Sequence, residues 1–166
     1  MLPSRKPGRY WKENNNRRIA FKSFLQNKSL HLSLMSENNK FSINIKVKPE
    51  HLDAVQHVNN VIYVQWMQDA ASMHWQSLAP VSLQEAVFWV VKRHEIDYYN
   101  QAFLDDDLQI STWTGEHTNV TWKRYYEVIR PCDSKKIISA VSTWILLDSK
   151  TQRPRKIDEE MINLHG

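Results

Sequence analysis

Residues 53–60 bring together the side-chain and backbone groups that hydrolytic chemistry requires. Asp53 and His57 supply a carboxylate and an imidazole, which act in enzymes as nucleophile, base or acid. Asn59 and Asn60 follow, and asparagine is typical of a residue that caps a helix. A helix beginning there presents unpaired backbone N–H groups and the positive end of its dipole, which would polarise a carbonyl group over its first turn. The segment therefore predicts a hydrolytic site, with the backbone amide near Asn60 stabilising negative charge on oxygen.

The same residues also have a structural interpretation. An aspartate ahead of a helix commonly shapes a turn or caps the helix, and a lone loop histidine commonly serves as a hydrogen-bonding residue. Asn59 and Asn60 fit capping and backbone bracing before any contact with a substrate. The residue types alone leave both interpretations open.

Two predicted elements flank this segment and would position it. In residues 41–47 apolar side chains alternate with polar ones, which is the period of a strand with one buried face, and Pro49 ends it. In residues 59–79 apolar side chains recur every three or four positions, and Pro80 ends the run. The pattern predicts one long helix with a continuous apolar stripe. The stripe consists of Tyr63, Trp66, Met67, Ala70, Ala71, His74, Trp75 and Leu78.

Four further strands are predicted after about residue 86. They are rich in Val, Ile, Thr, Trp and Tyr, are separated by turn-forming residues, and span residues 88–99, 108–116, 120–130 and 136–147. A strand, a helix and then strands in succession favour an α+β domain. We expect a long central helix wrapped by a five-stranded antiparallel sheet.

The first 34 residues differ from the rest of the chain in charge. They hold eight Lys and Arg residues against the single acid Glu13, so the net charge of +4 leaves about −3 from Met35 onward. That balance disfavours a nucleic-acid-binding surface, which depends on neutralising phosphates. We interpret residues 1–34 as a basic leader, which is an upstream extension, a disordered tail or a targeting peptide, and residues 35–166 as a single domain.

The remaining composition sets the expected environment. No apolar run reaches the roughly 18 to 20 residues that a membrane-spanning helix needs, so we expect no membrane insertion. Cys132 is the only cysteine, which excludes a disulfide within the chain and favours a reducing, cytoplasmic location. We predict no metal site, because the three acids at residues 105–107 lack the spaced ligands of a calcium loop and are typical of a solvated turn.

Residues 52–63, with the sequence LDAVQHVNNVIY, closely resemble the signature of hot-dog thioesterases of the 4-hydroxybenzoyl-CoA and acyl-ACP thioesterase groups. The similarity resumes at residues 89–98 (WVVKRHEIDY) and at the TW pairs of residues 112–113 and 143–144. It covers about residues 41–161 and leaves out the leader. The resemblance implies a hot-dog fold, a homodimer or dimer of dimers whose sheets join edge to edge, and active sites at the subunit interface.

The resemblance also implies roles for the residues of the motif. It places Asp53 at the family's catalytic acid position, where the carboxylate attacks a thioester or activates water. His57 matches the histidine of acyl-ACP thioesterases, which is suited to orient the acid or the water and to protonate the departing thiol. The amide of Asn60 would hold the oxyanion. The expected activity is hydrolysis of an acyl-CoA or acyl-ACP thioester to a free acid and a thiol, without a cofactor.

Substrate contacts are expected from Asn59, Tyr63 and Arg93. Arg93 belongs to a group of basic residues that could meet the phosphates of coenzyme A or pantetheine. The others in the group are Lys92, Lys123, Arg124 and Arg155.

Two positions depart from the family pattern. Val55 stands where acyl-ACP thioesterases carry asparagine, and Gln56 stands where many acyl-CoA members carry glycine. Asp69, in the predicted helix, is a further candidate acid, because some hot-dog thioesterases place their carboxylate there. The alternative functions are a non-catalytic hot-dog protein that binds an acyl-thioester or carrier protein, and a hydratase or dehydratase acting on the acyl chain.

Overall fold

The computed structural model of the chain describes residues 40–164. The elements, in chain order, are β1 (Phe41–Lys46), a 3₁₀ turn (Pro49–His51), α1 (Asn60–Leu78), α2 (Val81–Ala86), β2 (Val87–Tyr98), β3 (Asp107–His117), β4 (Thr121–Arg130), β5 (Lys135–Asp148) and α3 (Glu159–Asn163). The predicted leader at residues 1–34 and the domain start at Met35 lie outside the described residues.

The strands form one antiparallel sheet in the order β1-β3-β4-β5-β2. In β1, Phe41 and Ile43 are buried while Asn44 and Lys46 are exposed, because successive side chains of a strand point to opposite faces. Phe41 pairs with Thr112 of β3, so the buried face of β1 continues across the sheet. The predicted α+β class and five-stranded antiparallel sheet are confirmed.

Helix α1 lies against the inner face of the sheet and is nearest to β1 and β3. It begins where the Asn59 side chain accepts a hydrogen bond from the backbone N–H of Val61 at 3.1 Å, and it ends before Pro80. Its apolar stripe packs into the largest core cluster of the domain. The predicted long helix is therefore confirmed. Neither α1 nor another helix in the described residues is long and apolar enough to cross a membrane.

The sequence pattern does not predict α2 and α3, because each is too short to show a helical period. The N-cap of α2 is Pro80, and Asp158 caps α3 by accepting a hydrogen bond from the N–H of Met161 at 3.1 Å. Leu83 of α2 and Met161 of α3 are buried with Trp122 in a second core cluster. The two helices therefore enlarge the apolar core beyond the part that belongs to α1.

Arg130 of β4 joins the loop before β3 to the turn after β4. Its side chain is 11% exposed and contacts the carboxylates of Asp106 at 2.7 Å and Asp133 at 2.9 Å. It also donates a hydrogen bond to the carbonyl oxygen of Gln101 at 3.3 Å. The bonds to Arg130 lower the pKa of Asp133 to about 2, and the same bonds raise the pKa of Arg130. Residues 101–106 are thus fixed against the sheet.

Replacing Asp106 with asparagine should destabilise the domain by about 2 kcal/mol. The asparagine side chain can still accept the hydrogen bond from the N–H of Phe103, but Arg130 loses a charged partner in a mostly buried position. The matched control is Asp107→Asn, whose exposed contact with Lys46 at 3.6 Å should contribute less than about 0.5 kcal/mol. Urea unfolding measures both changes, and equal losses would contradict the bracing role of Arg130.

Candidate active site

Residues 53–57 form a turn that closes on itself. The Asp53 carboxylate oxygen Oδ1 accepts hydrogen bonds from the N–H of Val55 at 2.9 Å and of His57 at 3.1 Å. The backbone N–H of Asp53 donates to the carbonyl oxygen of His57 at 2.8 Å, and Gln56 donates to the carbonyl oxygen of Asp53 at 3.1 Å. Asp53 and His57 are therefore held together by bonds in both directions.

Gln56 has a backbone φ of 63°, in the left-handed region that glycine enters without steric penalty. This conformation explains why the position suits glycine. For glutamine it costs about 1 kcal/mol, which the hydrogen bonds of the turn offset. Val55 is 67% exposed, so an apolar side chain faces solvent at the other position where the sequence departs from the family pattern.

The first turn of α1 follows this turn directly and is anchored on both sides. The N–H of Val58 donates to the carbonyl oxygen of Ala102 at 2.9 Å, and the N–H of Asn59 donates to the carbonyl oxygen of His51 at 2.9 Å. The Asn59 side chain caps Val61, whereas the N–H of Asn60 has no acceptor among the described residues. An exposed N–H at a helix start is suited to polarise a carbonyl oxygen.

A cleft of about 480 Å³ lies where this turn, the start of α1 and the end of β2 meet. Its lining residues are Asp53, His57, Val58, Asn60, Tyr63, Tyr98, Tyr99, Asn100 and Gln101. The structure therefore brings four of the residues predicted from the sequence into one cleft: Asp53, His57, Asn60 and Tyr63.

Aromatic rings form much of the wall and rim of this cleft. The rings of Tyr63 and Tyr98 meet edge to face with centroids 5.9 Å apart, and the His57 ring meets Phe103 in the same way at 5.2 Å. Burial, with smaller contributions from Tyr98 and Asp106, raises the pKa of Tyr63. The Tyr63 hydroxyl therefore stays protonated and can donate a hydrogen bond to a ligand.

Three other predicted residues do not line the cleft. Asn59 uses its side-chain oxygen to cap α1. Arg93 is exposed on β2, where its Nε contacts Glu95 at 3.3 Å. Asp69 is partly buried on α1 and accepts a hydrogen bond from Gln65 at 2.8 Å, and burial raises the pKa of its carboxyl group. The roles expected for these residues stay predictions.

Arg124 was grouped with candidate phosphate contacts on the surface, and that assignment is wrong. Arg124 is 7% exposed, and its guanidinium donates hydrogen bonds to Nδ1 of His74 at 2.9 Å and to Oγ1 of Thr112 at 3.2 Å. The physical reason is the period of β4, in which Arg124 lies on the same face as the buried Trp122 and Tyr126.

Residues 98–101 form a wall of the cleft that no sequence motif assigns to the site. These residues lie at and just after the end of β2, and only the pairing of strands brings that end back to the start of α1. The similarity in residues 89–98 was a usable signal, because it ends at Tyr98. In the described part of the chain, no group of three or more His, Cys, Asp or Glu side chains is arranged to hold a metal ion.

Residues 38–165 match the family described as the acyl-ACP thioesterase N-terminal domain. The chain belongs to the acyl-ACP thioesterase family. The resemblance in residues 52–63 is confirmed, and so is the prediction of a thioester hydrolase.

Two thioesterases and one probable thioesterase are similar to this chain over 70% to 75% of its length. The long-chain acyl-CoA thioesterase FadM of Escherichia coli K12 is 25% identical over 125 residues, covering 70% of this chain and 90% of FadM. The probable thioesterase YbaW of Escherichia coli has a TM-score of 0.65 at 24% identity, over 74% of this chain and 94% of that one. The 12:0-ACP thioesterase of Umbellularia californica has a TM-score of 0.66 at 16% identity, over 75% of this chain and 49% of that one. The two structures show that the fold is shared.

Asn59→Ala should lower the stability of the domain by about 1 kcal/mol, because the N–H of Val61 loses its acceptor. The adjacent Asn60→Ala is the matched control, since the described residues show no hydrogen bond from the Asn60 side chain and its loss should stay within about 0.5 kcal/mol. Thermal unfolding of both variants checks this difference. A larger loss in the Asn60 variant would contradict the capping assignment.

Proposed function

We propose that this acyl-ACP thioesterase family member hydrolyses acyl-CoA or acyl-ACP thioesters through a site built on Asp53, His57 and the N–H of Asn60. The observation that carries the proposal is their common position on one cleft. The acyl-CoA thioesterase FadM and the 12:0-ACP thioesterase, to which the chain is similar, support the choice of substrate class.

In the proposed reaction the thioester carbonyl oxygen lies over the first turn of α1. The N–H of Asn60 and the helix dipole stabilise the negative charge that develops on this oxygen. A donor fixed by the backbone needs no reorganisation during the reaction, which is why it lowers the barrier. No positively charged side chain is needed to stabilise the oxyanion.

Asp53 is proposed to deliver the nucleophile. Its Oδ1 is occupied by two backbone N–H groups, so Oδ2 is the atom available for chemistry. In one route Oδ2 attacks the carbonyl carbon, the thiolate leaves, and water then hydrolyses the acyl-aspartyl anhydride. In the other route Oδ2 takes a proton from water, and the water oxygen attacks directly. Both routes consume one water and release a carboxylic acid and a thiol.

His57 is proposed to orient the water or the acid and to return a proton to the departing sulfur. Its ring meets Phe103 edge to face at 5.2 Å, and its backbone N–H is bonded to the Asp53 carboxylate. A single-turnover reaction in ¹⁸O-labelled water separates the two routes. Label in the Asp53 carboxylate after turnover indicates direct attack. Label only in the released acid, together with no acyl-Asp53 adduct trapped by hydroxylamine, indicates an activated water.

We propose further that the protein is a homodimer, alone or as a dimer of dimers, in which β2 strands pair edge to edge. β2 is an edge strand, and it leads to the exposed Tyr98 and Tyr99 beside the cleft. More large apolar side chains are exposed on the turn and the nearby loop, namely Val55, Val61, Phe103 and Leu104. A partner would cover this surface and the open strand edge. A cytoplasmic location, expected from the single cysteine, also belongs to this proposal.

Asp53→Asn should lower kcat by about 10²- to 10⁴-fold while leaving the thermal midpoint near that of the wild type. The asparagine Oδ1 can keep both backbone hydrogen bonds of the turn, whereas the nucleophilic or basic oxygen is lost. The comparison variant is Asp53→Ala, which removes the hydrogen bonds of the turn as well as the reactive oxygen and should therefore also be less stable. The assay is release of free thiol from short, long and aromatic acyl-CoAs and from one acyl-ACP.

Two results would contradict this assignment. Near-normal turnover by the Asp53→Asn protein would remove Asp53 from the mechanism and make Asp69 the next acid to test. No turnover of any thioester by a folded wild-type protein that still binds them would favour the alternative of a non-catalytic binding protein.

Sedimentation velocity should give the full-length protein a mass of at least two chains at micromolar concentration. Val90→Asp places a charge on the β2 edge strand, where Val90 is 41% exposed, and should shift the distribution toward monomer. Val81→Asp, at a 68% exposed position in α2, is the control and should leave it unchanged. A monomeric wild-type protein would exclude the proposed dimer.

A further inference from the structure

Three exposed residues, Tyr99, Asn100 and Gln101, line the cleft at its outer side and form what we call the cleft rim. Tyr63 and Val58 line the same cleft from buried positions. A cleft of about 480 Å³ has the size of a small-molecule site, so a carrier protein stays outside it. The arm that joins a thioester sulfur to its carrier therefore has to cross the exposed part of the cleft.

The backbone of the cleft rim is fixed on both sides. The N–H groups of Tyr99 and Asn100 donate hydrogen bonds to the carbonyl oxygen of Ile137 in β5, at 2.9 and 3.3 Å. Just after the rim, the carbonyl oxygen of Ala102 accepts a hydrogen bond from the N–H of Val58 at 2.9 Å. The rim is thus held between β5 and the start of α1, so its side chains leave from a fixed backbone beside the proposed catalytic turn.

The side chain of Asn100 is also fixed. Its Nδ2 donates a hydrogen bond to the carbonyl oxygen of Lys136 at 2.7 Å, and only the nitrogen of a carboxamide can make that bond. Its Oδ1 accepts no hydrogen bond from residues 40–164 and is therefore a free acceptor on the cleft rim. The other carboxamides of the cleft, those of Asn60 and Gln101, form no side-chain hydrogen bond with these residues. Asn100 is thus the carboxamide whose acceptor has a set direction.

The chemistry of the cleft rim matches the arm that coenzyme A and acyl-carrier protein share. This arm is pantetheine, in which methylene groups alternate with amide groups, and each amide offers one N–H donor. An acceptor that is oriented before binding loses little conformational entropy when it pairs with such a donor. The Tyr99 ring is held in the same way, because its hydroxyl pairs with Oγ of Ser139 at 3.1 Å, and the residue is 56% exposed. Its face suits the methylene groups of the arm.

We propose that Asn100 is a pantetheine-binding residue, whose Oδ1 accepts a hydrogen bond from an amide N–H of the arm while the Tyr99 ring packs against its methylene groups. The proposal rests on the function proposed above, which places the thioester carbonyl at the N–H of Asn60. Since the bond is made to the arm and not to the acyl group, it positions every thioester alike. It also accounts for one site that accepts both carriers, because they share the group that Asn100 binds.

The test compares dodecanoyl-pantetheine with analogues in which an ester oxygen replaces one amide N–H of the arm at a time, using the full-length protein. We expect kcat/KM for thiol release to be at least about tenfold higher for the natural arm than for one of the analogues, because that analogue lacks the donor. Asn100→Ala should remove most of this preference. Asn44→Ala, at an exposed position of β1 that does not line the cleft, is the matched control and should keep it.

The ratio between substrates is the readout, because a general loss of folding would lower all rates alike. Dodecanoyl-CoA and dodecanoyl-ACP then distinguish the arm from the rest of each carrier. Asn100→Ala should lower kcat/KM for both by a similar factor of about ten, since both carry the arm. A loss confined to dodecanoyl-CoA would assign Asn100 to the nucleotide and overturn the proposal. Equal rates for the natural arm and every ester analogue in the wild type would overturn it too, as would an unchanged preference in Asn100→Ala.

A separate measurement keeps this inference distinct from the proposed function. If no thioester is turned over, calorimetry with non-hydrolysable dodecyl thioethers of pantetheine and of its ester analogues decides the matter. Tighter binding of the natural arm, lost in Asn100→Ala, would support the role of Asn100 while the hydrolytic function fails. Equal affinities for all arms would overturn that role.

Discussion

The hydrogen bonds between Asp53 and His57 are the constraint on which the candidate site depends. One carboxylate oxygen and the backbone N–H of Asp53 bond the backbone of His57, so the Asp53 side chain and the His57 backbone keep a fixed relative position. The same bonds hold the second carboxylate oxygen in place without a flexible side-chain partner. Because the residue that shapes the turn is also the proposed catalytic acid, the stability of the turn and the geometry of the reaction depend on one side chain.

This turn is positioned by contacts from distant parts of the sequence. Val58 is held by Ala102, and Asn59 is held by the carbonyl oxygen of His51. Arg130 fixes the loop that contains Ala102 through its contacts with Asp106 and Asp133. The start of α1 is therefore clamped between the segment after β1 and the loop before β3, and its first N–H groups keep a constant direction toward the cleft. Preorganised donors of this kind stabilise developing charge without rearrangement.

The parts of the fold that the sequence predicted correctly are those with a local cause. The alternation in β1 and the three- and four-residue spacing in α1 define a buried face within a few residues, and Asn59 marks the helix start by its type. The residues of the motif fall together because they are neighbours in the chain. The wall at residues 98–101 follows from strand order, which no local pattern encodes. The burial of Arg124 also depends on the helix that covers the sheet, with which it is bonded through His74. The alternating face of β4, with Trp122 and Tyr126 on either side of Arg124, was nevertheless a signal for its burial.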